Sequence, residues 1–231
     1  MTDVNVARLT GIAGVLIGVG STLLVPLYFA FPGAPPSWTV LTRGLINIVT
    51  AALMIVFITG FSYQIRRAEA SCDWTASLIS AAVMAYVVVI LTATSLEVGA
   101  AFEAQSISID PTIDGPLAKG SILLHGSITR ILTAVALFAA GHAVMVTRAF
   151  PAWSGRAAQV IAVFNLSFVP SLFWGTDPAR FYSAIGWGNT AFAAIWFPYW
   201  TTAVGVGILS QASRHRSLRQ QSSPTMRHGR A

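Results

Sequence analysis

Six long apolar runs occupy most of the 231-residue chain and constrain its fold more than any other feature. A helix needs about 20 residues to cross the hydrocarbon core of a bilayer. The runs are Leu9–Phe31, Leu41–Phe61, Trp74–Leu96, Ser121–Val146, Ala157–Trp174 and Trp187–Leu209. None alternates with the period of two that is typical of a barrel strand, and a helix satisfies its own backbone groups within lipid. The sequence therefore predicts an all-α, polytopic membrane protein, a bundle of six transmembrane helices.

The composition supports this class. Only 10% of the residues are charged, against about 25% in a soluble domain, so a soluble globule of this size would lack polar surface. Basic residues outnumber acidic ones, 14 to 8, but most arginines lie beside apolar runs. Their position indicates control of membrane topology, and we expect no nucleic acid partner. The single cysteine, Cys72, excludes an internal disulfide framework.

Basic residues collect on one side of the predicted membrane. That side carries Arg8, Arg66, Arg67, Arg148, Arg156, Arg214, Arg216, Arg219, Arg227 and Arg230. The opposite side has Arg43, Lys119 and Arg180. The positive-inside rule then predicts that both termini are cytoplasmic. The Ala-, Gly- and Arg-rich composition favours a bacterial plasma membrane.

The chain divides into a transmembrane domain, residues 1–211, and a polar tail, residues 212–231. The tail is basic and rich in Ser and Gln, so we expect it to be disordered. We also expect it to lie on anionic lipid of the inner leaflet, because basic residues next to a span are attracted to that surface.

Polar side chains inside the spans are costly and indicate candidate functional residues. The second span carries Arg43, Asn47 and Thr50 on one face, because they are four and three residues apart. Arg130 lies about nine residues into the fourth span; it is either buried or interfacial, depending on where that span begins. The candidate ligand-binding residues are Arg43, Asn47, Glu97, His125 and Arg130.

These five residues map to the outer ends of their spans and predict one outward-facing polar layer. Two arginines against Glu97 leave a net positive charge, which suits an anion or a lipid headgroup. The alternative is a set of ion bridges that hold the helices together.

Small residues and prolines indicate how the helices pack. Gly14 and Gly18 form a small face on the first span, and Ala203 and Gly207 form one on the last, as in closely packed membrane helices. Pro170 and Pro198 predict kinks, which often adjoin cavities. Asn165 and Asn189 are expected to make polar contacts between helices.

Signatures of enzymes and cofactor sites are missing from the sequence. There is no nucleophile elbow, zinc-protease motif or phosphate-binding loop. His125 and His142 lie on one helix, about 25 Å apart by the helical rise, so they cannot share a metal or a haem. We therefore predict no catalytic residue, no metal and no cofactor.

Three classes of function remain open. The first is binding or transport of a small solute or lipid headgroup. The second is a structural or regulatory membrane subunit that packs against a protein partner the sequence does not identify. A membrane enzyme has the least support, because no set of catalytic residues is present.

Several segments resemble a family of bacterial multi-pass membrane proteins defined only as a domain of unknown function. The similarity lies in the segment Arg8-Leu-Thr-Gly11, in residues 138–155 ending in Phe150-Pro-Ala-Trp-Ser-Gly155, and in residues 181–188. The resemblance implies a six-helix membrane bundle and carries no catalytic residues with it.

Overall fold

The predicted class is confirmed. The computed structural model describes residues 3–31, 35–103 and 117–221, without the side chains of residue 103 and residues 214–221. Within these ranges it is helical and contains six segments long and apolar enough to cross a membrane. The α-helices are α1 (Asp3–Phe29), α2 (Ser37–Ala68), α3 (Asp73–Glu103), α4 (Ala118–Leu123), α5 (Thr129–Thr147), α6 (Ala152–Ser167) and α7 (Trp196–Gln221).

Three of the six spans depart from a regular α-helix. The fourth span joins α4 to α5 through a π-helical segment, Leu124–Ile128, in which Gly126 has a non-helical backbone. The fifth ends in a 3₁₀ helix, Val169–Phe173, with Pro170 at its start. The last begins as a π helix, Gly188–Phe192, and turns before α7 starts. Such irregular backbone at membrane depth is tolerated where protein or a cavity surrounds it.

The bundle has two distinct ends. At one, which we name the basic end, α1 begins and α2 ends; at the other, the cavity end, α1 and α3 end and α2 begins. At the basic end Arg66 Nε lies 2.7 Å from Asp73 Oδ1, and Arg67 pairs with Asp3. These exposed pairs tie α2 to α1 and α3.

The seam between α1 and α7 is closely packed. A Cβ on Gly14 would lie 2.7 Å from the Thr201 carbonyl oxygen, and one on Gly205 would lie 2.8 Å from the Gly11 carbonyl oxygen. The expected glycine face of α1 is therefore present. On α7 the close approach uses Gly205 instead of Gly207, at which a Cβ would meet open space.

Aromatic rings fill the core near the basic end. Phe61 stacks on Phe150 with ring centroids 4.8 Å apart, and Trp200 meets Phe61 edge-on at 5.7 Å. Trp200 Nε1 also donates to the Ser154 carbonyl oxygen at 2.9 Å, which joins α7 to α6. These contacts pack α2, α6 and α7 together at this end of the bundle.

The predicted tail begins inside a helix. Residues 212–221, expected to be disordered, continue α7 to Gln221. Residues 222–231 lie outside the described residues.

Candidate functional site

A cavity of about 400 Å³ opens between the helices in the cavity-end half of the bundle. Its volume is at the small end of the range of about 300–1,000 Å³ that ligand pockets span. The structure places all five sequence-predicted candidates in its lining: Arg43, Asn47, Glu97, His125 and Arg130. They come from four helical segments, so the cavity is a product of the tertiary fold.

The polar residues nearest the cavity end, which we name the upper level, join α2 to α3. Arg43 Nη2 lies 2.7 Å from Glu97 Oε1, and both side chains are buried. The Arg43 guanidinium also lies over the Tyr28 ring, 4.4 Å from its centroid, in a cation–π contact. The charge of Arg43 is thus compensated from two sides.

Two polar nitrogens of the upper level lack well-formed hydrogen bonds within the described part of the chain. Arg43 is 3% exposed, and its Nε has no hydrogen-bond acceptor there. Asn47 Nδ2 lies beside the Tyr28 hydroxyl without the geometry of a hydrogen bond. A buried donor without an acceptor costs about 1–3 kcal/mol. Both residues line the cavity, and Arg43 Nε has no acceptor among the described residues.

His125 lies on the cavity wall, further from the cavity end than Arg43 and Glu97. Its Nδ1 is 3.2 Å from the Ser121 carbonyl oxygen, so Nδ1 carries the proton in this contact. In the neutral ring Nε2 is then an acceptor, and it has no partner among the described residues.

Arg130 is buried, at 2% exposure. Its Nε donates to the Gly126 carbonyl oxygen at 3.3 Å, and its Nη2 donates to the His125 carbonyl oxygen at 3.0 Å. Nη1 donates to Asn165 Oδ1 at 3.0 Å, and Nη2 also donates to Thr129 Oγ1 at 3.0 Å. The irregular turn at Gly126 presents its carbonyl groups to the guanidinium, which shares them with Thr129.

The five candidates contain two arginines and one acid, so Glu97 has two candidate partners. Sequence reasoning pairs Glu97 with either Arg43 or Arg130. In the structure Glu97 forms an ion pair with Arg43. No described carboxylate lies within 4.0 Å of the Arg130 guanidinium. Of its five N–H groups, four take part in the described bonds, which leaves one on Nη1.

A second polar cluster supports the irregular turn from behind. Asn189 Nδ2 donates to Ser127 Oγ and Ser171 Oγ, both at 2.9 Å, and to the Ala184 carbonyl oxygen at 3.1 Å. A Cβ on Gly126 would lie 3.1 Å from that same carbonyl oxygen. The cluster therefore connects the fourth, fifth and sixth spans within their irregular segments. This agrees with the polar contacts between helices expected of Asn189.

The candidates occupy two levels of the cavity instead of one layer. Ser121 Oγ donates to the Ala93 carbonyl oxygen at 3.0 Å, so Ser121 and Ala93 lie at the same depth in the bundle. This depth is one helical turn further from the cavity end than Glu97. Arg130 is nine residues beyond Ser121, about 13 Å further along the helix, although its guanidinium bends back toward Gly126. The upper level thus holds the Arg43–Glu97 pair, and the lower level holds His125 and Arg130.

The opposite wall of the cavity is mostly apolar. It comes from the end of α1 and from the irregular start of the last span: Leu24, Val25, Phe29, Trp187, Ala191, Ala194, Ile195 and Pro198. Pro198 thus adjoins the cavity, as expected from its position. Met54, Val87 and Ile90 add apolar surface on the polar side.

Sequence reasoning missed two tyrosines of the lining. Tyr28 lies at the end of α1, and Tyr86 lies in the middle of α3. Tyr28 could be read as part of an interfacial aromatic belt, and a single tyrosine within an apolar run gives no sign of the direction it faces. Only the packing of α1 against α2 shows that the Tyr28 ring covers Arg43.

Comparison with known proteins supplies no function. No family model matches the chain, and no curated protein or solved structure matches it.

Proposed function

We propose that this membrane protein binds an anionic small solute or lipid headgroup in the cavity, at the upper polar level. The observation that carries the proposal is the Arg43 guanidinium. It is buried, it lines a cavity of about 400 Å³, and its Nε has no acceptor among the described residues. An anionic oxygen at that position would accept from Nε and from the nearby Asn47 amide.

The charge of the lining supports an anion. The described ionisable side chains around the cavity are Arg43, Glu97, Arg130 and two tyrosines, with His125. With His125 neutral, two positive charges face one negative charge, and the excess is one positive charge. A cation would be repelled by this excess positive charge. The single carboxylate of the described lining already contacts Arg43.

The hydrogen-bond groups favour an anion that also carries a donor. Arg43 Nε and Asn47 Nδ2 are donors, and His125 Nε2 is an acceptor in its neutral form. A phosphate monoester with a hydroxyl group meets both requirements.

Binding at this position is tested with purified protein in nanodiscs of zwitterionic lipid. We expect glycerol 3-phosphate to raise the melting temperature, because a ligand that binds only the folded state stabilises it. Choline at matched ionic strength should have no effect. Arg43→Lys keeps a positive charge for Glu97 but removes Nε, so it should weaken the response without a large loss of stability.

The matched control is Arg180→Gln, at the same end of the bundle, where the Arg180 side chain is exposed and outside the lining. It should respond as the wild type does. An equal response to choline, or an undiminished response in Arg43→Lys, would refute the proposal.

We further propose a bacterial plasma membrane location with both termini in the cytoplasm, so that the cavity faces outward. The arginines at the basic end support this orientation. In this arrangement the tail after Ser213 lies on anionic inner-leaflet lipid. Anionic nanodiscs should then protect the tail from protease more than zwitterionic nanodiscs do, and equal cleavage in both would contradict the tail assignment.

A further inference from the structure

The cavity wall formed by α1 and the last span is mostly apolar, with Ser21, Tyr28 and Thr190 as its polar members. Leu24 and Val25 of α1 and Ala191, Ala194 and Ile195 of the last span make up its apolar part. A hydrated anion at Arg43 would leave this surface against water, which is unfavourable. The wall is suited to a hydrocarbon chain.

The cavity is long as well as narrow. Along α2 the lining runs from Arg43 to Met54, eleven residues or roughly 16 Å of helix. This is about half of the 30 Å thickness of a bilayer core. A volume of about 400 Å³ extended over that length can accommodate a hydrocarbon chain.

The rim of the apolar wall is exposed at the level where spans meet the bilayer surface. Phe29, at the end of α1, is 64% exposed, and Trp187, before the last span, is 46% exposed; both line the cavity. The surface outside the bundle at this level is membrane. A molecule that partitions into the bilayer interface can reach the cavity past these two side chains.

We infer that the ligand is a single-chain amphiphile, with its anionic headgroup at Arg43 and its chain along the wall made by α1 and the last span. This inference rests on the proposed function, because it uses the same headgroup position. It adds the chemical class of the ligand: a monoalkyl or monoacyl phosphate, or a carboxylate of the same form.

The test compares two ligands that share a headgroup, methyl phosphate and dodecyl phosphate. Affinities are measured by thermal shift in zwitterionic nanodiscs, with empty nanodiscs to correct for partitioning of the dodecyl chain. In the wild type we expect dodecyl phosphate to bind at least about tenfold more tightly, because each buried methylene adds favourable transfer free energy. Ala194→Phe fills the chain position and leaves Arg43 untouched.

Ala194→Phe should remove the advantage of the dodecyl chain, and methyl phosphate binding to the same variant reports separately on the headgroup position. Ala191→Phe places a phenyl ring on the same wall. It is used in place of Ala194→Phe if that variant does not fold. Ala52→Phe is the matched control, since Ala52 is exposed and outside the lining, and it should retain the advantage.

The outcomes separate this inference from the proposed function. Equal affinity of the two phosphates in the wild type, or an advantage that survives both filling variants, would overturn the single-chain inference and leave headgroup binding standing. Failure of both phosphates to bind the wild type would overturn the two together.

Discussion

Arg43 and Glu97 join α2 to α3 at the cavity end, with Arg43 Nη2 2.7 Å from Glu97 Oε1 and both side chains buried. Replacing one residue of such a pair by a neutral one leaves the other charge buried without its partner. Arg43→Gln or Glu97→Gln alone should therefore destabilise the protein by about 3–5 kcal/mol. The double variant should lose less than the sum, as measured by unfolding of the purified protein.

The comparison pair is Glu97 with Arg130. The described contacts of Arg130 are all with uncharged groups, so the losses in Glu97→Gln and Arg130→Gln should add to within about 0.5 kcal/mol. Additive losses at Arg43 and Glu97 would contradict the ion pair, and strong coupling at Glu97 and Arg130 would contradict the assignment of partners.

Arg130→Lys tests the role of Arg130 at the irregular turn. A lysine keeps the charge but cannot reach the Gly126 and His125 carbonyls and Asn165 together, because its three donors sit on one nitrogen. We expect a loss of about 3 kcal/mol or more, since each bond to a charged group contributes about 1.5–3 kcal/mol. Hydrogen exchange of the amides around Gly126 should also accelerate.

The matched change is Arg156→Lys, at an exposed position near the start of α6, where we expect almost no effect. Wild-type stability and unchanged exchange in Arg130→Lys would show that the guanidinium does not hold the turn.

Asn189→Leu removes the centre of the cluster that joins three irregular spans. The two N–H groups of one amide, shared among three acceptors, are lost, and Ser127 and Ser171 remain buried. At about 1 kcal/mol for each N–H group, the loss should be roughly 2 kcal/mol in thermal or chemical unfolding. Ser167→Ala, which removes one exposed hydroxyl, should cost less than about 1 kcal/mol. Equal effects of the two changes would show that the cluster is dispensable.

The orientation in the membrane is tested by thiol labelling. Native Cys72 is buried, so the probe is Ser71→Cys in a Cys72→Ala background, because Ser71 is exposed. A membrane-impermeant maleimide should label this cysteine in inverted vesicles and not in intact spheroplasts. Thr176→Cys in the same background lies at the cavity end and should give the opposite pattern. Labelling of Ser71→Cys from outside would reverse the proposed topology.

The number and position of the spans could be predicted because they depend on the local length of apolar sequence. Each predicted run lies within or nearly within a helical segment of the structure, and the segments extend several residues beyond most runs. Charged residues such as Arg66 and Arg67 still belong to α2, because a helix continues past the apolar part into the polar region. The run alone therefore underestimates helix length.

That these five residues lie around one cavity could also be predicted, but the contacts among them could not. Costly polar residues in spans face inward, and this placed the five candidates around one cavity. The partner of Arg130 depends on the backbone at Gly126, which presents carbonyl groups that no charge pattern reveals. The apolar wall could not be predicted either. Ala191 and Ala194 resemble ordinary packing residues in the sequence, and only the structure shows that the last span is interrupted beside them.

The central claim is that an anion occupies the position beside Arg43 Nε. The most direct measurement is an experimental density map of the wild-type protein with dodecyl phosphate in nanodiscs. The account predicts density for a charged group within about 2.7–3.2 Å of Arg43 Nε. A map in which Nε instead bonds to a protein acceptor, or in which the ligand headgroup lies away from Arg43, would contradict it.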